Sequence, residues 1–288
     1  MEIKIKEFFA ERIRMPKHLT QDQVDSYMND GFVGPIDLLT TAEAAQLRAK
    51  VEEVEAEMGS QIQQRCKIKA HLPFTFLCDV ISHPKLLDAV EDIIGPNILC
   101  WGSSFFQKEA HDPGFVSWHQ DSTYYGLEPP DTLTAWLAIS DSNLESGCMD
   151  FIPGTHNQGI YDHEEFKSEE NLLSRGQTIV GVDESKSQSM VLKAGQFSFH
   201  KEDCVHGSAP NKSDDRRIGL SIHYVPPSIK ETGFPGASAM VLRGEDTEGH
   251  WGVDMTPKKD WDPVCLAELD RVATMYNTQA PKEREPAS

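Results

Sequence analysis

The chain has 288 residues, of which 39% are apolar, and this is enough for the core of one domain. Acidic residues outnumber basic ones by 46 to 27, which gives a formal charge of -19 and argues against nucleic acid and anionic membranes as partners. No apolar run reaches the length of a membrane span, residues 1–17 lack the apolar part of a secretory leader, and the six cysteines form no CxxC pair. We therefore expect a cytoplasmic protein with reduced thiols.

The first third of the chain has the spacing of helices. Three segments combine a capping residue at the start, apolar residues on one face and a glycine at the end; they begin at Thr20, Thr41 and Ser82 and end at Gly31, Gly59 and Gly95. Near the other end of the chain, Asp262 and Pro263 are typical of the start of a further helix.

From about Asn97 onwards the apolar period changes from helical to alternating. Clusters of Gly, Pro, Asn and Asp separate six candidate strands, which are Ile98–Lys108, Thr132–Ile139, Cys148–Ile152, Ser189–Leu192, Gln196–His200 and Arg217–Val225. Many short strands behind a helical preface predict a fold that is mainly β with α. The predicted core is a double-stranded β-helix, the cupin-like jelly roll, flanked by N-terminal helices.

We expect one domain over residues 1–288, with a mainly helical preface over 1–96 and a jelly-roll core over 97–227. The remainder, 228–288, is predicted to be an extension that ends in a loose tail. Within the core, the polar stretch 156–188 fits neither period. It is either a lid over a site or a tolerated surface insertion, and the sequence favours neither.

The HxD motif places an imidazole and a carboxylate two residues apart, at His119 and Asp121. On an extended segment both side chains point to the same side and can face one ion. A histidine from a later strand would complete a 2-His-1-carboxylate triad, which leaves coordination positions open for O2 chemistry. In isolation, the HxD spacing is also common among surface residues.

A second motif joins His206 to Arg217, which follows eleven residues later at the head of a strongly alternating strand. A metal-chelating keto acid such as 2-oxoglutarate has a far carboxylate that needs a buried cation. The planar fork of an arginine supplies two parallel hydrogen bonds to such a group. The two motifs together therefore favour a metal site beside a carboxylate site.

The motifs stand in a fixed order along the chain: His119-Gln120-Asp121, Ala135-Trp136, Asn143 to Cys148, Pro153 to His156, and His206-Gly207-Ser208 through Arg217. As an ordered set they resemble the phytanoyl-CoA dioxygenase family, over roughly residues 101–225. The resemblance implies a jelly-roll oxidoreductase that uses Fe(II), 2-oxoglutarate and O2 and releases succinate and CO2.

Matching the family's pattern residue by residue implies a role for each motif residue in this chain. By this resemblance the iron ligands are His119, Asp121 and His206. The arginine that binds the 5-carboxylate of 2-oxoglutarate corresponds to Arg217, and positions that line the cosubstrate pocket correspond to Trp136 and Ser208.

The alternation supports this match, because Arg217 shares its face with the small residues Gly219 and Ser221, which leave room for a cosubstrate. Gln107 is a further candidate for a hydrogen bond to the cosubstrate, although an ordinary strand-end amide explains it equally well.

Two neighbouring residues compete with the assigned ones. His200 is a rival of His206, and Arg216 is a rival of Arg217, because adjacent strand residues face opposite ways and only one arginine enters the lumen. The resemblance favours the pair His206 and Arg217, because their eleven-residue spacing fits the family motif and the distance from His200 to Arg217 does not.

Three activities remain to be weighed. Halogenases of this fold replace the carboxylate ligand by Ala or Gly, so the presence of Asp121 favours hydroxylation. A cupin-like metal-binding protein or isomerase without 2-oxoglutarate is the third possibility. It is disfavoured by Arg217, which without a carboxylate partner would be a costly buried charge.

The substrate is predicted only as a small molecule. Trp101, Phe105, Tyr124 and Tyr125 are candidates for an aromatic pocket, which together with the acidic charge hints at an amine or zwitterion. Packing explains the same residues equally well. Arg243 is either a contact for an anionic group of the substrate or part of a surface ion pair.

Overall fold

The computed structural model describes residues 16–165, 168–173 and 176–278. In these ranges the α-helices are α1 (Gln21–Asp30), α2 (Thr41–Met58), α3 (Ile62–Arg65), α4 (Thr75–Ile81), α5 (Pro84–Ile94), α6 (Ser122–Tyr125) and α7 (Pro263–Thr278). No helix of the described part is long and apolar enough to cross a membrane. The predicted loose tail lies almost entirely outside the described residues.

The strands in order are β1 (Phe32–Asp37), β2 (Ile98–Lys108), β3 (Val116–His119), β4 (Leu127–Glu128), β5 (Leu133–Ala138), β6 (Met149–Phe151), β7 (His163–Glu165), β8 (Gln177–Ile179), β9 (Gln188–Met190), β10 (Gln196–Lys201), β11 (His206–Ser208), β12 (Arg217–Val225), β13 (Lys230–Glu231), β14 (Ser238–Arg243) and β15 (Gly252–Val253). Seven of them form a large sheet in the order β1-β10-β5-β12-β2-β14-β15, and four form a smaller sheet in the order β3-β11-β6-β9. The predicted jelly roll with flanking helices is confirmed.

The main core lies between the large sheet and the N-terminal helices. On β12, Ile218, Leu220, Ile222 and Tyr224 face this layer and join apolar residues of α2, α4 and α5. The opposite face of β12 looks into the space between the two sheets, which we call the lumen. Because side chains alternate along a strand, each strand of the large sheet divides its residues between the core and the lumen.

The predictions for helices α1 and α2 agree with the structure at both ends. Helix α1 has the capping box of Thr20 and Gln23, and Gly31 ends it in the left-handed region, at a φ of 87°. Helix α5 begins two residues later than predicted, because Pro84 occupies its first turn. The sequence prediction missed the short helices α3 and α4 and the edge strand β1.

Two strand predictions are confirmed at both ends, those for β2 and β12. The predictions for β5, β6, β9 and β10 differ from the structure by one or two residues at one or both ends. Strands β3 and β11, which carry the predicted metal ligands, were not predicted. They have four and three residues, too few for an alternating pattern to be recognised.

Candidate metal centre and cosubstrate pocket

The pairing of β3 with β11 brings the two predicted histidine ligands together. His119 and His206 are direct partners in this antiparallel pair, and their ring centroids are 4.2 Å apart. The carboxylate of Asp121 lies just beyond the end of β3, with its Oδ1 at 3.2 Å from His119 Nε2 and 4.0 Å from His206 Nε2. One donor atom from each of the three residues lies within 4.8 Å of the other two.

Backbone carbonyls fix the orientation of both imidazoles. His119 Nδ1 lies 2.8 Å from the carbonyl oxygen of Ser117, and His206 Nδ1 lies 2.9 Å from that of Cys204. A carbonyl only accepts, so Nδ1 carries the proton in each ring and Nε2 keeps its lone pair. Burial lowers the pKa of His206 to about 3, which keeps this imidazole neutral.

The second oxygen of Asp121 faces other side chains. Its Oδ2 lies 3.6 Å from Nε2 of His200, which the sequence had left as a rival ligand. Burial raises the pKa of Asp121, but its interactions with the surrounding His119, His200 and His206 outweigh this effect, so that this pKa lies well below its usual value. The carboxylate is therefore ionised, with Oδ1 toward His119 and His206 and Oδ2 toward His200.

Arg217 points into the same lumen and is almost completely buried, with 1% of its surface exposed. Its Nη1 donates to the carbonyl oxygen of Gly147, while its Nε has no hydrogen-bond partner in the described structure. The guanidinium carbon lies 5.4 Å from the ring centroid of Trp136. Among the described residues no carboxylate pairs with Arg217, so a buried cation and part of its donor fork are left for a ligand.

A second buried basic residue, which the sequence prediction missed, lies beside this arginine. Lys108 is the partner of Arg217 across the β2–β12 pair, and its side chain is completely buried. Its Nζ donates to Ser208 Oγ at 2.7 Å and to the carbonyl oxygen of Ala209. Burial and the neighbouring charge of Arg217 lower the pKa of Lys108 to about 6. From sequence alone, a lysine at the end of a strand resembles an ordinary surface residue.

The metal site and the arginine line one cavity of about 610 Å³. Its lining includes the three metal-site residues and also His200, Ser208, Trp136 and Arg217. Another part of its wall is aromatic. Trp101 lies edge to face with Tyr125 at a centroid distance of 4.9 Å, and both contact the ring of His223. Phe234 and Tyr276, from the C-terminal extension, complete this wall.

The phytanoyl-CoA dioxygenase family model matches residues 27–219, which is two thirds of the chain. The chain belongs to this family. It is 29% identical over 157 residues to a probable alpha-ketoglutarate-dependent hypophosphite dioxygenase of Stutzerimonas stutzeri, and the aligned part is 54% of each chain. It is also 29% identical over 230 residues to the human peroxisomal phytanoyl-CoA dioxygenase, covering 72% of this chain and 68% of the relative.

A solved structure of a non-heme monooxygenase, apo ThoJ, superposes with a TM-score of 0.79 at 30% identity. The superposition covers 89% of this chain and 96% of ThoJ. These findings confirm the predicted family and its enzyme class, a 2-oxoglutarate-dependent dioxygenase. The hypophosphite dioxygenase is matched over only about half of its length, so the substrate of the present chain is a matter for proposal.

The residues of the phytanoyl-CoA dioxygenase motif fit an iron ion chemically. Two neutral imidazoles and one carboxylate converge on a common point and leave other directions toward the cavity, which is the donor set of non-haem Fe(II) oxygenases. The hydrogen bonds from both Nδ1 atoms to carbonyls are the outer contacts that usually orient metal-bound histidines.

One predicted cosubstrate contact is wrong. Gln107 pairs with Ile218, on the face of the large sheet that packs against the helices. Its Nε2 donates to Glu55 of α2 at 2.7 Å, so the amide points away from the lumen. The second arginine, Arg216, also faces outward and binds Glu55 and Glu109. Only Arg217 enters the lumen, as the alternation required.

The role expected for Gly219 also needs correction. A Cβ atom at this position would lie 1.9 Å from Cζ2 of Trp136, so the indole occupies the space that the glycine leaves. Gly219 therefore allows Trp136 to cross the floor of the lumen beside Arg217, and it does not provide open volume for the cosubstrate. Ser221 does line the cavity.

Two further candidates from the sequence, Phe105 and Arg243, have structural roles. Phe105 borders the cavity but belongs to the core shared with the helices. Arg243 forms ion pairs with Asp88 and Glu91 of α5, at 2.7 and 2.8 Å, which agrees with the ion-pair alternative.

The described part of segment 156–188 lies against the metal-site strand. It contains the hairpin of β7 and β8, and the hydroxyl of Ser117 donates to the carbonyl oxygen of Gln177 at 2.7 Å. Asn171 donates to the same hydroxyl at 3.0 Å. Leu172 and Leu173 line the cavity. The segment is thus part of the cavity wall, which supports the lid alternative over a distant insertion.

Proposed function

We propose that this chain hydroxylates a C–H bond of a small molecule, with 2-oxoglutarate and O2 as cosubstrates. The observation that carries the proposal is the position of two complementary sites in one cavity: the triad of His119, Asp121 and His206, and the buried cation Arg217 without a carboxylate partner in the described chain. A metal-binding protein without 2-oxoglutarate has no use for the second site, and burying its charge would be costly.

In this proposal His119, Asp121 and His206 hold the iron. Bound Fe(II) supplies the activation of O2 that is coupled to decarboxylation of 2-oxoglutarate to succinate and CO2. Arg217 binds the far carboxylate of 2-oxoglutarate through its fork, with Lys108 and Ser208 beside it. Trp136 forms the floor of this pocket and excludes water from the pair of charges, which strengthens their attraction.

Hydroxylation is favoured over halogenation by the carboxylate of Asp121. A halide needs a coordination position of its own, and in this site Oδ1 of Asp121 lies toward both histidines. The other oxygen, Oδ2, lies 3.6 Å from Nε2 of His200, so both oxygens of the carboxylate face histidines. The expected product therefore contains a new hydroxyl group even when chloride is abundant.

The test is turnover of a metabolite library by the Fe(II)-loaded protein, with succinate and products followed by mass spectrometry. A substrate should increase succinate release and yield a product heavier by one oxygen atom, also in saturating chloride. A dominant chlorinated product would contradict hydroxylation. Substrate conversion without consumption of 2-oxoglutarate would instead favour the isomerase alternative.

We further propose that the substrate carries an amine or a quaternary ammonium group. The rings of Trp101, Tyr125 and His223 lie within about 5 Å of one another by centroid and line the cavity. Aromatic faces attract a desolvated cation by about 0.5–2 kcal/mol, and the net charge of -19 favours its approach.

This substrate class is tested with two probes of equal shape, choline and its uncharged analogue 3,3-dimethylbutanol. Binding to the protein loaded with Co(II) and 2-oxoglutarate is measured by calorimetry. Choline should bind about 2- to 30-fold more tightly, which is the factor expected from the attraction of aromatic rings for a cation. Trp101→Leu should remove this preference. Equal binding of both probes would contradict an ammonium substrate and leave the 2-oxoglutarate chemistry untouched.

A further inference from the structure

Gln120, the residue between the two ligands of the HxD motif, is completely buried and points away from the metal site. Its side-chain Nε2 donates to the carbonyl oxygens of Gly159 at 3.0 Å and of Asp203 at 2.8 Å. Its Oε1 accepts a hydrogen bond from the backbone N–H of Tyr161 at 2.8 Å. One amide therefore connects the HxD motif to two other parts of the chain, at residues 159–161 and at Asp203.

Each of these parts bears on the metal site. Gly159 and Tyr161 belong to the segment 156–188. Asp203 lies three residues before His206, next to Cys204, whose carbonyl oxygen orients the His206 ring. The amide thus ties both metal-ligand strands to the candidate lid.

The backbone of Gln120 makes further contacts with the segment. Its N–H donates to Nε2 of His163 at 3.1 Å, and Nδ1 of His163 lies 2.7 Å from the carbonyl oxygen of Tyr161. The carbonyl oxygen of Gln120 accepts from the hydroxyl of Thr123, which also lies 2.9 Å from Oε1 of Gln177. If the segment moved away, Gln120 would lose contacts on its backbone and on both ends of its side chain.

We propose that Gln120 is a positioning residue that couples docking of segment 156–188 to the geometry of the metal site. When the segment is docked, it forms hydrogen bonds with the buried side-chain amide of Gln120 and with the backbone of the HxD motif. These bonds fix the motif so that His119 and Asp121 face His206. An undocked segment leaves buried polar groups unpaired and frees that backbone. Because coupling is reciprocal, metal binding must stabilise the docked segment by the same factor by which docking strengthens metal binding.

The inference rests on the metal assignment of the proposed function, and its test needs no substrate. Co(II) affinity is measured by calorimetry, and hydrogen exchange of residues 157–163 is measured with and without Co(II). Gln120→Met keeps the length of the side chain and removes its hydrogen bonds. We expect Co(II) affinity to fall about 10- to 100-fold, as for other residues that orient metal ligands. We also expect metal to slow exchange in 157–163 in the wild type and to have little effect in the variant.

A matched control is Gln196→Met, because Gln196 also bonds through both ends of its amide, to Asp37 and Lys193, at the far end of β10 from His200. It should keep the wild-type Co(II) affinity and the metal-dependent protection of 157–163. If Gln120→Met does not fold, His163→Leu perturbs the same connection from the segment side and should show the same two losses.

The outcomes separate the inference from the proposed function. Wild-type affinity and wild-type metal-dependent protection in Gln120→Met, or in His163→Leu, would overturn the coupling. Losses of equal size in Gln196→Met would also overturn it, because they would reflect general destabilisation. Failure of the wild-type protein to bind Co(II) would instead contradict the metal assignment itself.

Discussion

Replacing Arg217 by methionine should have opposite effects on the protein without and with 2-oxoglutarate. In the described structure the guanidinium is buried, its pKa is lowered to about 10 by burial, and no described carboxylate compensates its charge. Methionine fills similar space against Trp136 without that cost. We therefore expect the metal-loaded protein without cosubstrate to be as stable as the wild type, or more stable.

Replacing Arg217 by methionine should weaken the binding of 2-oxoglutarate. Two charge-assisted hydrogen bonds of about 1.5–3 kcal/mol each are removed, so 2-oxoglutarate should bind about 10²- to 10⁴-fold more weakly. At a concentration of 100 times the wild-type Kd, the ligand stabilises the wild type by about 2.7 kcal/mol, and the variant by about 0.4 kcal/mol or less. The wild-type Tm should therefore rise by several degrees while that of Arg217→Met hardly changes.

The assay is thermal unfolding of the Co(II)-loaded proteins with increasing 2-oxoglutarate. Arg216→Met is the matched control, because this neighbouring arginine faces outward to Glu55 and Glu109. It should lower the Tm without cosubstrate and leave the shift caused by 2-oxoglutarate intact. A full shift in Arg217→Met, or its loss in Arg216→Met, would refute the assignment of Arg217 as the carboxylate anchor.

Four further outcomes are expected from the same geometry. His206→Ala should abolish succinate formation and sharply reduce metal affinity, whereas His200→Ala should retain metal; the reverse result in metal titrations would exchange the two assignments. Binding of 2-oxoglutarate should take up a proton, because the pKa of Lys108 is lowered to about 6 and a bound carboxylate favours the ammonium form; calorimetry in buffers of different ionisation enthalpy should show this uptake, and Lys108→Met should remove it. Burial lowers the pKa of His223 to about 4, below its unfolded value of about 6.5, so the stability that the neutral ring contributes is lost as the pH falls from about 6.5 toward 4. Between pH 7 and pH 5, the free energy of unfolding measured with denaturant should therefore fall by about 2 kcal/mol less in a His223→Gln variant than in the wild type. Segment 156–188 should gain protection from hydrogen exchange when cosubstrate and substrate bind, and equal protection in all states would make it a fixed wall.

The sequence predicted the sheet strands best where they are long. β2 and β12 have eleven and nine residues, and both were predicted with the correct bounds. β3 and β11 are short, and their place in the fold depends on pairing with each other, which no local pattern records. The metal site was predicted from residue chemistry and from the family resemblance, although the strands that carry it were missed.

The inner and outer faces of β2 were not predictable from polarity. Nearly all residues of β2 are buried, so both faces look alike in sequence. For this reason Gln107 was placed on the lumen face of β2, which in the structure carries Lys108, and this second buried basic residue beside Arg217 was overlooked.

The site of the metal and the cosubstrate is tested most directly by crystallography at the iron absorption edge. Crystals grown without oxygen, with Fe(II) and 2-oxoglutarate, should give one anomalous peak in contact with His119 Nε2, Asp121 Oδ1 and His206 Nε2. The far carboxylate of 2-oxoglutarate should lie on the fork of Arg217 in the same map. A peak bound by His200 in place of His206, or 2-oxoglutarate density away from Arg217, would contradict the account.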